Sequence, residues 1–149
     1  MTVFVTAGAG FLLAVLWFDL MFDVQVRHRR ERKLPADLLR SISGYYGRVT
    51  MGARPMSRLI GLVMIGTLVA IVIQIARSDT PDWVAWTSLT LAALPITLAA
   101  MHTFPAAVRL GERADTEEVQ SRLARSIFRD HLLCLVSIGF LLALQLGFG

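Results

Sequence analysis

Asp19 and Asp23 are the residues of this sequence best placed for chemistry, because both stand inside an apolar run that starts at Val3 and ends near Val26. Four residues apart, they share one face of a helix, and Asp19 lies roughly 9 Å before the end of the run at about 1.5 Å per residue. An aspartate at the centre of a membrane helix costs about 2.5 to 3.5 kcal/mol, so its presence asks for a reason. Two histidines are expected at the same level. His102 falls within a turn of the end of the third apolar run, and His131, with Asp130 before it, opens the membrane part of the fourth.

Two carboxylates and two imidazoles at one depth of a bundle form a donor set for a divalent metal such as iron, zinc or manganese, and either histidine could be an axial ligand to haem. The alternative is structural: Asp19 and Asp23 pair with Arg or His across the bundle and fix its register, while His131 caps carbonyls or meets lipid headgroups. The sequence has no His-x-x-x-His or Glu-x-x-His pair. That favours the structural role, so no cofactor is predicted, with metal or haem as the alternative.

Other chemistries find no support. Cys134 is the single cysteine, which excludes an intrachain disulfide and a thiolate cluster. There is no glycine-rich phosphate loop, no Cys-x-x-Cys and no recognisable Ser-His-Asp order. Apart from Thr67, Thr90 and Thr97 the middles of the runs are aliphatic, which argues against a water-filled pore. Gln74 and Gln145, near the external ends of the second and fourth runs, have as their ordinary role a hydrogen bond between helices worth about 1 kcal/mol.

These residues must be positioned by membrane helices. Hydrophobic residues make up 55% of the 149 and charged ones 17%, whereas a soluble domain keeps about a quarter of its residues charged. Four runs, at about 3–26, 56–76, 83–104 and 127–146, reach the roughly 20 residues that a helix needs to cross a bilayer, and define one membrane domain over 1–149. The expected fold is all-α, a four-transmembrane-helix bundle.

Charge placement sets the orientation. Nine basic residues, Arg27 to Arg58, lie around the first connection and five, Arg109 to Arg129, around the third. The second connection has only Arg77, beside Asp79 and Asp82. Arginine and lysine stay on the cytoplasmic side, so both termini are expected outside and the fourteen basic residues inside. The net charge of +4 is thereby accounted for by insertion, without nucleic acid as a partner.

Local signals refine the bounds. Pro55 fits the first turn of the second span, Thr80 with Pro81 an N-cap and first position for the third, and Asp115 with Glu118 a capping box, starting the fourth helix near Thr116. Gly111 is the expected stop of the third. The third and fourth helices would then extend into the cytoplasm as a hairpin, with Val119, Leu123 and Ile127 on one face, covered by the chain's own cytoplasmic segment.

That segment carries an amphipathic pattern, Leu38, Leu39, Ile42, Tyr45 and Tyr46, expected to lie in the headgroup plane, with Arg27, Arg29, Arg30, Arg32, Lys33 and Arg40 contacting lipid headgroups. Thr6, Gly10 and Ala14, and Gly66 with Ala70, are expected to face neighbouring helices. Pro95 bends the third span, Trp83 and Trp86 mark an interfacial belt, and Trp17 packs inside.

The layout resembles small four-helix families such as the copper-resistance D-type and anthrone-oxygenase-like membrane proteins, without a motif that carries a ligand or catalytic residue onto a numbered position. The leading expectation is a non-catalytic membrane protein of a bacterial-type inner membrane. It would act through the lipid bilayer and through another membrane protein or itself, as an accessory subunit or a small oligomer. One alternative is a membrane-embedded metal- or haem-dependent oxidoreductase using Asp19, Asp23, His102 and His131. The other is a carrier for a lipid or small apolar molecule, which would need a lateral groove.

Overall fold

The computed structural model describes residues 1–27, 29, 31–52 and 54–149. Among them it has six α-helices and no strand: α1 (Thr2–Asp23), α2 (Ala36–Gly47), α3 (Arg54–Arg77), α4 (Asp82–Leu98), α5 (Phe104–Glu112) and α6 (Glu117–Phe148). A 3₁₀ turn, Val24–Val26, prolongs α1. π-helical turns follow α2 at Arg48–Gly52 and join α4 to α5 at Ala99–Thr103. Four helical rods, Thr2–Val26, Pro55–Arg77, Asp82–Glu112 and Glu117–Phe148, are long and apolar enough to cross a membrane. The expected spans are thus present, the third and fourth lengthened at the arginine-rich end into the hairpin of α5 and early α6.

The four rods form a ring in which α1 packs on α3, α3 on α4, α4 on α6 and α6 back on α1. Two separate apolar clusters hold it together. One, at the end remote from the arginines, joins Val5, Ala9 and Leu12 to Ile71, Ala92, Ile138 and Leu141. The other lies at the basic end, where Leu39, Ile42 and Tyr46 of α2 pack on Leu110 of α5 and Ile127 of α6, with Leu123 against them. The Leu123 and Ile127 part of the hairpin face is therefore covered by the chain's own segment, while Val119 lies outside the cluster. The same contact refines the reading of α2: its apolar face packs on α5 and α6 and is not free to enter lipid.

Helix ends differ from their signals in instructive ways. Thr116 is the N-cap of α6, its hydroxyl accepting from the Val119 N–H at 3.4 Å, while Asp115 is drawn away to Arg109 at 2.8 Å. Thr80 does not cap α4. The helix starts after Pro81, whose carbonyl takes the Val84 and Ala85 N–H groups, and the Thr80 hydroxyl is buried without a partner among the described residues. Gly111 is not the stop of α5, since Arg113 makes the left-handed turn at φ 55°. Gly111 is small for another reason: a Cβ there would stand 2.8 Å from the Gly47 nitrogen, so the glycine lets α5 and α2 touch backbone to backbone.

The close approach of α1 and α3 falls at Gly8, where a Cβ would collide with the Thr67 hydroxyl. A Cβ on Gly10 or Gly66 would meet nothing within 4 Å, so these two glycines do not carry the packing expected of them, whereas Ala70 is buried in the core. Trp17 is likewise corrected, standing 63% exposed on the outer surface beside Phe18. Trp83 and Trp86 are exposed near the end opposite the arginines, as their place in the sequence implies.

Candidate functional site

The last turns of α1 and α2 meet α6 in a polar cluster between the two apolar clusters. After α1 ends at Asp23, the chain returns through Leu34, which is buried and whose N–H donates to the Ser121 hydroxyl at 2.9 Å. That anchor turns the polypeptide into α2, whose final turn delivers Tyr45 and Tyr46 to the aspartates. The Tyr45 ring stacks on Phe22 at 4.0 Å, and its hydroxyl donates to Asp19 Oδ1 at 2.6 Å. The Tyr46 hydroxyl donates to Asp23 Oδ1 at 2.7 Å.

His131 closes the cluster from α6. Its Nδ1 lies 2.6 Å from Asp23 Oδ2 and its Nε2 3.8 Å from Asp19 Oδ2. With Asp23 as acceptor of both contacts, His131 donates from Nδ1, and Nε2 is the nitrogen turned to Asp19. Asp23 is wholly buried and has both oxygens engaged. Burial, then the charges of the aspartates and the bonds to them, pushes both phenols above their ordinary value of 10.0, so Tyr45 and Tyr46 remain donors.

Asp19 keeps one oxygen, Oδ2, with only the long contact to His131. That side chain is 14% exposed, and both residues line a cavity of about 400 Å³. The remaining wall is almost entirely apolar, built by Leu12, Leu16, Ile60, Met64, Ile96 and Ile138. Both π turns border it, through Val49 and Thr50 and through Ala99, Ala100 and Thr103. Such turns widen a helix locally and recur at functional sites. Here threonines cover carbonyls the widened turns involve: Thr50 donates to the Tyr46 carbonyl at 2.7 Å and Thr103 to that of Leu98 at 3.5 Å.

The structure brings Asp19, Asp23 and His131 together but keeps His102 out. His102 stands on the outer side of the helical hairpin, 2.6 Å from Asp130 Oδ2, which also accepts from the Thr103 hydroxyl at 2.9 Å. Three of the four candidates thus form a buried cluster, and the fourth, half-exposed His102, pairs with Asp130 instead. Neighbours in sequence, Asp130 and His131 point about 100° apart around α6 and so serve different partners. Asp19 and His131 Nε2 are the donors open to a ligand. No group of three His, Cys, Asp or Glu among the described residues is arranged to hold a metal ion.

Of the expected headgroup contacts, Arg27, Arg29 and Arg32 line one cleft at the basic end. Lys33 and Arg40 are exposed elsewhere, Arg40 pairing with Asp37 at 3.8 Å; Arg30 lies outside the described residues. Sequence reasoning missed the hydroxyls of Tyr45 and Tyr46, reading both rings as apolar surface. The available signal was two adjacent phenols on an amphipathic face, each requiring a partner when buried.

The fold and site define a class: a multi-pass helical membrane protein with a carboxylate, imidazole and phenol cluster at one end of an apolar cavity. Comparison with protein-family models, curated proteins and solved structures finds no match.

Proposed function

We propose that this chain is a membrane-embedded binding protein or carrier for a small, mainly apolar molecule with one hydrogen-bonding end. The chain crosses the membrane four times with both termini outside the cytoplasm, since fourteen of its fifteen basic residues lie on the connections at one end. The site then sits at the level of the inner leaflet. The observation that carries the reading is the cavity itself, with aliphatic walls and polar groups gathered at Asp19, Tyr46 and His131. Pockets of this kind take the apolar body of a ligand by burial and fix its orientation through the few polar groups. With His131 as the imidazolium, a hydroxyl between Asp19 Oδ2 and His131 Nε2 would donate to the first and accept from the second.

Gly61 provides the test, because it lines the cavity and a Cβ there meets nothing within 4 Å. Gly61→Leu should fill the space without disturbing the helices. Protein purified from its own membrane, extracted with solvent and examined by mass spectrometry, is expected to yield about one small molecule per chain for the parent and none for Gly61→Leu. A parent without such a molecule, or a variant that retains it while melting normally, counts against the reading.

A second reading, action through contacts with another membrane protein or a second copy, is favoured by the open faces at Gly10 and Gly66. Small residues that meet nothing within the chain leave room for another helix. Co-purification of a stoichiometric partner, lost on Gly10→Leu, would support it.

A further inference from the structure

The apolar cavity leaves a second feature unexplained. Arg27, Arg29 and Arg32, which follow α1, and Arg122, Arg125 and Arg129 of α6 converge on one cleft of about 580 Å³, with Glu31 and Glu118 as its only acidic residues among the described ones. Two arginines are tied to the scaffold. Arg32 pairs with Glu118 at 2.9 Å, and Arg125 donates to the Glu31 carbonyl. The guanidinium groups of Arg27, Arg29, Arg122 and Arg129 make no hydrogen bond or ion pair among the described residues.

Six arginines against two glutamates leave the cleft with a charge of +4. Gathering like charges costs self-repulsion. Insertion does not require it: the positive-inside bias asks only that arginines lie on the inner connections, and Arg48, Arg58 and Arg113 satisfy it without converging on this cleft. Convergence is what an anion would stabilise, and guanidinium forks match phosphate oxygens in pairs.

The position of the cleft selects the kind of anion. Along α6, Arg122, Arg125 and Arg129 are followed on the same face by Leu132, Leu133, Val136 and Phe140, all exposed. The spacing of three and four residues makes one stripe, arginine where the helix leaves the bilayer and hydrocarbon where it enters. Val26 and Phe128 give the cleft an apolar floor at the same level. A soluble phosphate would use the arginines alone, whereas a phospholipid uses both parts of the stripe. The charge also exceeds what one phosphodiester neutralises.

We propose that this cleft binds the headgroup of an anionic membrane lipid carrying two phosphates, with the acyl chains along the Leu132 to Phe140 stripe. Basic pockets between membrane helices on the inner side bind lipids of this chemistry. The inference is independent of what the apolar cavity holds.

The test uses the full chain in nanodiscs of phosphatidylcholine doped with cardiolipin, or with phosphatidylglycerol at equal charge, and counts retained lipids by native mass spectrometry. Saturable retention of cardiolipin over phosphatidylglycerol is expected. Arg122→Gln with Arg129→Gln should weaken it at least about tenfold, and Arg48→Gln with Arg58→Gln, removing equal charge from the same end, less than about twofold. Should the first pair fail to fold, Arg27→Gln with Arg29→Gln tests the opposite wall with the same expectation. Equal losses from both pairs would reduce the effect to bulk charge and overturn the site. Equal retention of the two lipids would overturn the two-phosphate assignment. Displacement of bound cardiolipin by micromolar inorganic pyrophosphate would make the cleft a soluble-phosphate site and overturn the lipid.

Discussion

The bundle has a polar layer at each end, and the two are built on opposite principles. At the end remote from the arginines, Gln74 and Gln145 exchange amide hydrogen bonds at 3.2 and 3.3 Å, and Gln145 also donates to the Ser88 hydroxyl at 2.8 Å. Both glutamines are fully buried, and neither lines the cavity beside Asp19. A neutral pair that satisfies itself fixes the register of α3 and α6 and leaves nothing to offer a ligand. At the basic end, two carboxylates share one imidazole, and Asp19 Oδ2 is left facing His131 across 3.8 Å at the cavity wall. A bundle that needed register alone could have repeated the amide solution. Charge at the second layer, beside the apolar cavity, is the feature on which the proposed binding role rests.

Asp23 offers the strongest way to break this contrast. Asp23→Ala removes the acceptor of both Tyr46 and His131 and leaves the imidazole buried beside Asp19 alone. Breaking a buried charged pair by deleting one partner costs about 3 to 5 kcal/mol. Unfolding in mild detergent should show a loss of that order, and a loss below about 1 kcal/mol would place the cluster among ordinary exposed pairs.

Next in size is the titration of the phenols. Both tyrosines of the chain belong to this cluster, so tyrosinate absorbance reports on it alone. Their folded pKa values lie above the unfolded value of 10.0 because burial and the neighbouring carboxylates oppose the phenolate. The phenols therefore stabilise the fold fully below pH 10 and lose that contribution as pH rises above it. Native protein should show no tyrosinate while pH passes through 10, and denatured protein should titrate there. A native transition at the ordinary value would mean that the hydroxyls face solvent.

How much of this was legible in the sequence depends on range. The four spans follow from length and apolarity, properties of a local window, although the third helical rod runs on to Glu112 and the fourth starts as early as Glu117. The cap of α6 was placed one residue early, because Asp115 and Thr116 are both capable caps and the choice turned on Arg109, six residues away from Asp115. Gly111 looked like a stop because glycine commonly ends helices; its actual cause, the Gly47 backbone, is 64 residues distant in sequence. The site was half legible. Two aspartates in an apolar run advertise themselves, whereas the separation of His102 from His131 depends on which side of α6 meets α1 and which meets the π turn. Tyr45 and Tyr46 were hidden by their rings, which serve the apolar pattern equally well.

The glutamine pair sharpens the comparison from its other side, with the smallest effects. Gln145→Leu leaves the Gln74 amide with only the Thr2 hydroxyl at 3.4 Å. In membrane bundles such bonds average about 0.6 kcal/mol and reach about 1.7, so the single variant should lose about 1 kcal/mol. The double variant, Gln74→Leu with Gln145→Leu, removes both partners together. Replacing a satisfied pair by apolar groups of similar size is close to neutral, since no donor or acceptor is stranded. The Ser88 hydroxyl loses its donor too, but it can turn to a carbonyl one helical turn back. Stability should therefore return to within about 0.5 kcal/mol of the parent in the double variant. Strictly additive losses would show that each amide serves something beyond the other, and the far layer could then no longer be set against the charged one as mere register.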